Sequence, residues 1–175
     1  MMCLKQLPQG FADVQAVGLG ATNVTVAAEA TLQLPLSAEK PFVLKAGQML
    51  AGEGTVQGSV RYAPDSVLDV AAERPAIEDL QIDGATLVFT RGQAADAPAD
   101  GSNVSILTGT VTLDLTDWAA ADPLPQHIKL MTLDPAAVDA TFVLKGLSGN
   151  SQIVFHEDTG LLEVCTRRGC VIVFR

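Results

Sequence analysis

The chain has 175 residues, of which 48% are hydrophobic and only 5% aromatic, so Val, Leu, Ile and Ala must fill the core of what we expect to be a single domain. Its formal net charge of -9 argues against binding to nucleic acid or to an anionic membrane surface, because both need clustered Lys and Arg. No run approaches the roughly 20 apolar residues that cross a bilayer, and no signal peptide is visible.

Alternating apolar residues predict short β-strands along most of the chain. Helix-type spacing is almost absent, and Gly, Asn, Asp and Pro groups separate the alternating segments. The clearest alternations are Val24/Val26, Leu32/Leu34, Phe42/Leu44, Leu80/Ile82, Leu87/Phe89, Val111/Leu113 and Ile153/Phe155. The sequence therefore predicts an all-β fold.

An internal repeat refines this prediction. Residues 24–34 are echoed by residues 60–70 at an offset of 36, and Leu87 follows Leu68 by 19 residues, which is close to half of that offset. Coils of about 18 to 24 residues are typical of a β-solenoid. We expect Leu32, Leu68 and Leu87 to share one interior column. The alternative is a β-sandwich or jelly roll, which also has short strands at regular spacing.

Two polar excursions and a C-terminal element complete the predicted architecture. Residues 92–102 and 119–126 are predicted loops, with Trp118 closing an opening beside the second loop. Tight connections after residue 126 favour antiparallel neighbours, which would cap the open end of a solenoid. The predicted organisation is one β-solenoid domain over residues 1–175, with repeat coils at 14–125 and a cap at 126–175.

One glycine-rich stretch reads Leu50-Ala-Gly-Glu-Gly-Thr-Val-Gln-Gly-Ser-Val60 and is followed by Asp65-Ser-Val-Leu68. This stretch resembles the glycine-threonine repeat of autotransporter passengers and related bacterial surface β-helix proteins. The segments at 128–132, 140–147, 151–155 and 160–164 resemble the last rungs of such passengers, so the resemblance covers most of residues 20–165. It implies a right-handed parallel β-helix with an adhesive or structural role at a bacterial surface. No membrane-barrel strands follow, which departs from that family. Because no signal peptide is visible, the expectation is the C-terminal part of a longer exported protein.

The two histidines are the first candidate site. His156, Glu157 and Asp158 form a polar run that we expect to be a surface turn. A metal site would need three or four converging ligands, and nothing in the spacing brings His127 to this turn. The sequence therefore predicts no metal site here.

An acidic group is the second candidate. β-Helix enzymes that act on carbohydrates use carboxylates and a basic residue on one outer face. The group from which such a face could be built is Asp65, Asp69, Asp79 and Asp83, with Arg61 or Arg91. Asp at turns commonly hydrogen-bonds the turn backbone instead, so we predict no catalytic residue.

The three cysteines are too few for a disulfide scaffold. Cys165 and Cys170 either close a small loop or remain two half-buried thiols, and no second ligand pair stands near them at zinc spacing. We expect no cofactor.

The expected function is that of a non-enzymatic surface stalk, adhesin or display module. It would contact carbohydrate or a neighbouring surface protein, without nucleic acid, and could associate end to end or as a homo-oligomer. The alternatives are a polysaccharide lyase or glycosidase on a β-helix and a carbohydrate-binding β-sandwich. The expected location is extracellular or at the cell surface.

Overall fold

The computed structural model describes residues 2–3, 11–13, 23–34, 40–70, 74–147 and 150–166. Within these ranges the chain is all-β, with two short 3-10 helices, Thr116–Ala120 and Pro135–Ala137, and no α-helix. The strands are β1 (Met2–Cys3), β2 (Phe11–Asp13), β3 (Asn23–Val26), β4 (Thr31–Gln33), β5 (Phe42–Leu44), β6 (Met49–Gly52), β7 (Thr55–Tyr62), β8 (Val67–Asp69), β9 (Ala76–Asp83), β10 (Thr86–Val88), β11 (Ala99–Asp100), β12 (Val104–Asp114), β13 (His127–Thr132), β14 (Val138–Lys145), β15 (Ser151–His156) and β16 (Leu161–Thr166).

The largest sheet is parallel and curled. Its strands follow the order β2-β4-β7-β9-β12-β10-β8, with β5 added to β7 and β14 added to β12. The long strands are shared between shorter ones, since β7 pairs with both β4 and β5, and β12 pairs with both β9 and β10. Six of the parallel strands form a half-barrel. A smaller parallel sheet contains β1, β3 and β6.

Parallel register stacks the apolar side chains into interior columns. One column consists of Leu68, Leu87, Leu113 and Leu144, each in register with the next across β8, β10, β12 and β14. A second column consists of Leu44, Tyr62, Ile82, Leu107 and Val138. Because side chains alternate along a strand, the residues between these positions point outward. The narrow aliphatic core expected from the composition is therefore built from these columns.

The expected position of Leu32 is wrong. Leu32 is in register with Val56, and Val56 with Ile77, so Leu32 belongs to a different column from Leu68 and Leu87. Leu68 and Leu87 do share a column, as expected.

The 36-residue echo has a local origin. Glu29 and Asp65 both adopt positive φ, 63° and 65°, in the turns that precede β4 and β8. The turns are closed by equivalent backbone hydrogen bonds, from Ala30 N to Ala27 O at 3.0 Å and from Ser66 N to Ala63 O at 3.1 Å. The repeat thus records a common turn before a strand, and not a common column.

The C-terminal part is mixed where an antiparallel cap was expected. A four-stranded sheet has the order β11-β13-β16-β15, in which β16 is antiparallel to both β13 and β15. However, β13 is parallel to β11, and β14 is parallel to β12 and extends the large sheet. The expectation of antiparallel pairing is therefore wrong for β14. The predicted loop at 92–102 also contains a strand, β11.

Trp118 lies in the first 3-10 helix, beside the loop where the sequence places it, and its side chain belongs to the buried core. Its indole Nε1 is buried without a hydrogen-bond partner among the described residues. Trp118 therefore packs into the core through its indole ring.

Candidate functional site

Both histidines of the chain lie on one face of the C-terminal sheet, beside Glu163 and Cys165. In the register of β13 with β16, His127 lies opposite Cys165. In the register of β15 with β16, Val154 lies opposite Glu163, which places His156 diagonally from Glu163 two residues further along β15. Because strand side chains alternate between faces, these four residues share one face.

The opposite face of the same strands anchors the sheet. Leu162 and Val164 of β16 and Ile128 and Leu130 of β13 are buried in the hydrophobic core. This packing fixes the strand register, since a slip of one residue would exchange the core face with the outer face. The four polar side chains are therefore held on a rigid support.

The turn between β15 and β16 fixes the position of His156. The N–H of Gly160 donates to the carbonyl of His156 at 2.7 Å, and the carbonyl of Gly160 accepts from Leu133 N at 2.9 Å. Gly160 has φ 69°, and a Cβ at this position would lie 1.9 Å from the Leu133 carbonyl oxygen. Only glycine allows this close approach of two backbone segments.

Glu163 is at the centre of the cluster. His156 Nε2 donates to Glu163 Oε1 at 2.9 Å, and His127 Nδ1 lies 3.5 Å from Glu163 Oε2. Cys165 Sγ lies 3.6 Å from Glu163 Oε1 and 3.5 Å from His127 Nδ1. One imidazole nitrogen, one carboxylate oxygen and one sulfur, from His127, Glu163 and Cys165, all lie within 4.8 Å of one another.

The electrostatics favour an ionised carboxylate. The hydrogen bond from His156 lowers the pKa of Glu163; burial acts in the opposite direction, but the nearby His127 and the Cys165 thiol lower the pKa further. The side chain of Glu163 is only 10% exposed, whereas those of His127 and His156 are 60% and 39% exposed. The cluster therefore places a partly buried anion beneath two solvent-accessible imidazoles.

This convergence corrects the expectation drawn from the spacing of the histidines. His156 does end a strand at a surface turn, and Glu157 and Asp158 in that turn are exposed. Glu163, however, contacts both His156 and His127, so the two histidines belong to one cluster. The sequence does show that Glu163 and Cys165 alternate within one strand and so share a face. It does not show that β16 pairs with β13 and β15, the strands that carry the two histidines.

Two members of the acidic group proposed for carbohydrate chemistry lie on one strand. Asp79 and Asp83 lie on the same face of β9, four residues apart, so their Cα atoms are separated by about 13 Å at the usual strand rise. Glycosidase carboxyl groups are about 5 to 10 Å apart. Asp79 accepts hydrogen bonds from Ser105 and Gln81, and Asp83 accepts one from Thr108.

The remaining members of that group have other positions. Asp65 occupies the positive-φ turn before β8, and Asp69 lies at the end of β8. Arg61 donates to Gln81 Oε1 through Nε at 3.0 Å and Nη2 at 2.8 Å. Arg91 pairs with Asp117 at 3.6 Å. Each arginine thus has a partner outside the proposed acidic group.

The expected alternatives for Cys165 and Cys170, a closed loop or two thiols, involve Cys170, which lies outside the described residues. Comparison with protein-family models, with curated protein sequences and with solved structures gives no significant match. Among the residues that the structure describes, no helix is both long and apolar enough to cross a membrane.

Proposed function

We propose that the chain is a segment of a right-handed parallel β-helix with a non-enzymatic role as a surface stalk, adhesin or display module. The observation that carries the proposal is the column of Leu68, Leu87, Leu113 and Leu144, whose members come from four strands in continuous parallel register. Strands stacked in this way build an extended surface along the stacking direction, which suits a module that binds through a large, repetitive contact area.

The outward side of the same strands supports a contact role. Val67, Thr86, Thr112 and Val143 form a row parallel to the leucine column. Val67 and Val143 are large apolar residues exposed at the surface. Two threonine hydroxyls flanked by the methyl groups of two valines, on a pleated surface, suit carbohydrate or a neighbouring surface protein. The proposed location is therefore extracellular or at a cell surface, with end-to-end or homo-oligomeric association as a further consequence.

Retention of cells and glycans tests the proposal. Beads coated with the full chain are incubated with a glycan array and with bacterial cells, and bound material is measured after washing. We expect retention that falls in the variant Thr112→Lys, which places a charge within the outward row. The matched control is Thr159→Lys, because Thr159 is exposed in the β15–β16 turn, away from that row.

Turnover decides between the binding role and an enzyme. The chain is incubated with a panel of acidic polysaccharides, and release of new chain ends is measured. We expect none. Turnover that disappears in Asp79→Ala or Asp83→Ala would overturn the non-enzymatic role, and loss of retention in both lysine variants alike would overturn the assignment of the outward row.

A further inference from the structure

We propose that His127, Glu163 and Cys165 bind a divalent transition-metal ion of the Zn²⁺ class, with His156 as the hydrogen-bond partner that orients Glu163. The inference goes beyond the stalk or adhesin role, because it assigns a ligand to the outer face of the C-terminal sheet. It follows from the types, spacing and accessibility of the four side chains.

The ligand types select the ion. Imidazole nitrogen, carboxylate oxygen and thiolate sulfur together are the donors that Zn²⁺ uses in proteins. Ca²⁺ and Mg²⁺ are bound by sets of oxygen ligands, and this cluster offers a single carboxylate. A sulfur and an imidazole on neighbouring strands instead favour a borderline-soft ion such as Zn²⁺ or its spectroscopic substitute Co²⁺.

The spacing matches tetrahedral coordination. Metal–ligand distances of about 2.0 to 2.3 Å place neighbouring ligand atoms of a tetrahedral zinc site about 3.3 to 3.6 Å apart. The corresponding separations here are 3.5 Å from His127 Nδ1 to Glu163 Oε2, 3.5 Å from His127 Nδ1 to Cys165 Sγ, and 3.6 Å from Cys165 Sγ to Glu163 Oε1. Each pair of side chains therefore has the spacing of two tetrahedral corners, with Glu163 contacting His127 through Oε2 and Cys165 through Oε1. One carboxylate oxygen also lies within 4.8 Å of both other ligand atoms, so a small shift of Glu163 completes three corners.

His156 supplies the support that metal ligands usually have. Its Nε2 donates to Glu163 Oε1 at 2.9 Å, which leaves the other carboxylate oxygen directed towards His127. Removal of such an outer partner typically reduces metal affinity by about 10- to 100-fold. His156 is itself held by the Gly160 backbone contact, so the carboxylate orientation does not depend on a flexible loop.

An ion can reach the cluster from solvent. The His127 side chain is exposed and Cys165 is half-buried, so the fourth tetrahedral position opens outward. Lys129 lies opposite Glu163 in the strand register and is the nearest competing cation on β13. Binding releases the thiol proton of Cys165 to the buffer as the sulfur becomes a thiolate ligand.

Titration with Co²⁺ and Zn²⁺ tests the proposal. The reference protein is the full chain with Cys3→Ser and Cys170→Ser, so that only Cys165 can supply sulfur. We expect one equivalent of Co²⁺ to produce a sulfur-to-metal charge-transfer band with tetrahedral ligand-field absorption, and Zn²⁺ to displace it. Calorimetry in two buffers of different ionisation enthalpy should report one released proton.

Variants assign the ligands. Cys165→Ser should abolish the charge-transfer band. His127→Asn should weaken Co²⁺ binding at least about 10-fold, because a direct ligand is lost. His156→Gln should weaken Co²⁺ binding about 10- to 100-fold, because the partner that orients Glu163 is lost. Glu157→Gln is the matched control, because Glu157 is an exposed acid in the same hairpin turn, and it should bind as the reference does. Circular dichroism without metal confirms that each variant is folded.

Two results would overturn the proposal: no stoichiometric Co²⁺ binding by the reference protein, or binding with the same spectrum and affinity in Cys165→Ser and His127→Asn. Glu163 is largely buried, so Glu163→Gln is the variant with the greatest risk to folding. His127 is largely exposed, so His127→Asn decides the question if Glu163→Gln does not fold.

Discussion

Replacement of Leu87 by Ala tests the interior column at its centre. Leu87 is fully buried and is in register with Leu68 on one side and Leu113 on the other. The substitution removes three carbon atoms, worth roughly 2.4 kcal/mol of transfer free energy at about 0.8 kcal/mol per methylene. A cavity adds to this, because ladder hydrogen bonds keep the neighbouring strands from closing the space. We expect the free energy of unfolding to fall by about 3 to 4 kcal/mol, within the usual range for such substitutions.

Urea denaturation followed by circular dichroism measures this loss. The control is Val67→Ala on the adjacent strand β8, because Val67 is 52% exposed and points away from the column. Its truncation should cost less than about 1 kcal/mol. A loss for Leu87→Ala no larger than that of the control would mean that Leu87 is not enclosed by its two neighbours.

Double-mutant cycles distinguish the column of Leu87 from the column that contains Leu32. Leu87 and Leu113 lie on adjacent strands, about 4.8 Å apart, so their Ala substitutions should couple by about 0.5 kcal/mol or more. Leu32 lies on β4, in the separate column that it forms with Val56 of β7 and Ile77 of β9, and β4 is not paired with β10. Substitutions of Leu32 and Leu87 should therefore add within about 0.5 kcal/mol. Equal coupling in both cycles would refute the register.

Three further outcomes are expected. Burial raises the pKa of Tyr62, the one tyrosine, from 10.0 to about 12, although the charge of Arg74 lowers it. Phenolate absorbance should therefore report a titration midpoint near this value, and the protein should lose stability as pH rises from 10 towards 12. Burial raises the pKa of Asp114, but hydrogen bonds from Lys145 and Thr116 outweigh it, so the pKa lies below 3.8. The protein should therefore lose stability as pH falls below 3.8, and Asp114→Asn should remove this part of the pH dependence. Gly160→Ala should cost more than about 1 kcal/mol by urea denaturation.

Local patterns in the sequence predicted the strands and turns well. Period-two alternation placed strands at Leu32, Leu68 and Leu87, and the structure has β4, β8 and β10 there. The shared turn before Thr31 and Val67 was detected as an internal repeat, because positive φ and a short hydrogen-bonded turn impose similar residues on the chain. These features depend on a few consecutive residues, so a single sequence contains them.

Strand pairing was predicted less well because it is non-local. Leu32 and Leu68 have similar neighbours in sequence, but register depends on which strand lies beside each of them, and a fixed offset fails when loops differ in length. Leu68 and Leu87 are 19 residues apart, whereas Leu113 and Leu144, in the same column, are 31 apart. The expected coil length of about 18 to 24 residues thus fits the first pair and not the second.

The candidate site depends on the same non-local information. His127 and Cys165 are 38 residues apart, and β14 and β15 lie between them in the chain. Only the antiparallel pairing of β13 with β16 brings them together. Alternation does predict that Glu163 and Cys165 share a face, but it cannot predict which histidine faces them.

The variable number of residues between partners in register has a consequence for the shape of the protein. The spacing along the chain ranges from 18 residues for Phe42 and Val60 to 32 for Ala99 and Met131, while the ladders stay parallel. Extra residues leave the stack and return to it, and each doubling of loop length costs only about 0.6 kcal/mol. The number of paired strands therefore sets the extent of the parallel sheet, whereas loop length sets how far the chain leaves the sheet between strands, so that the two can change independently.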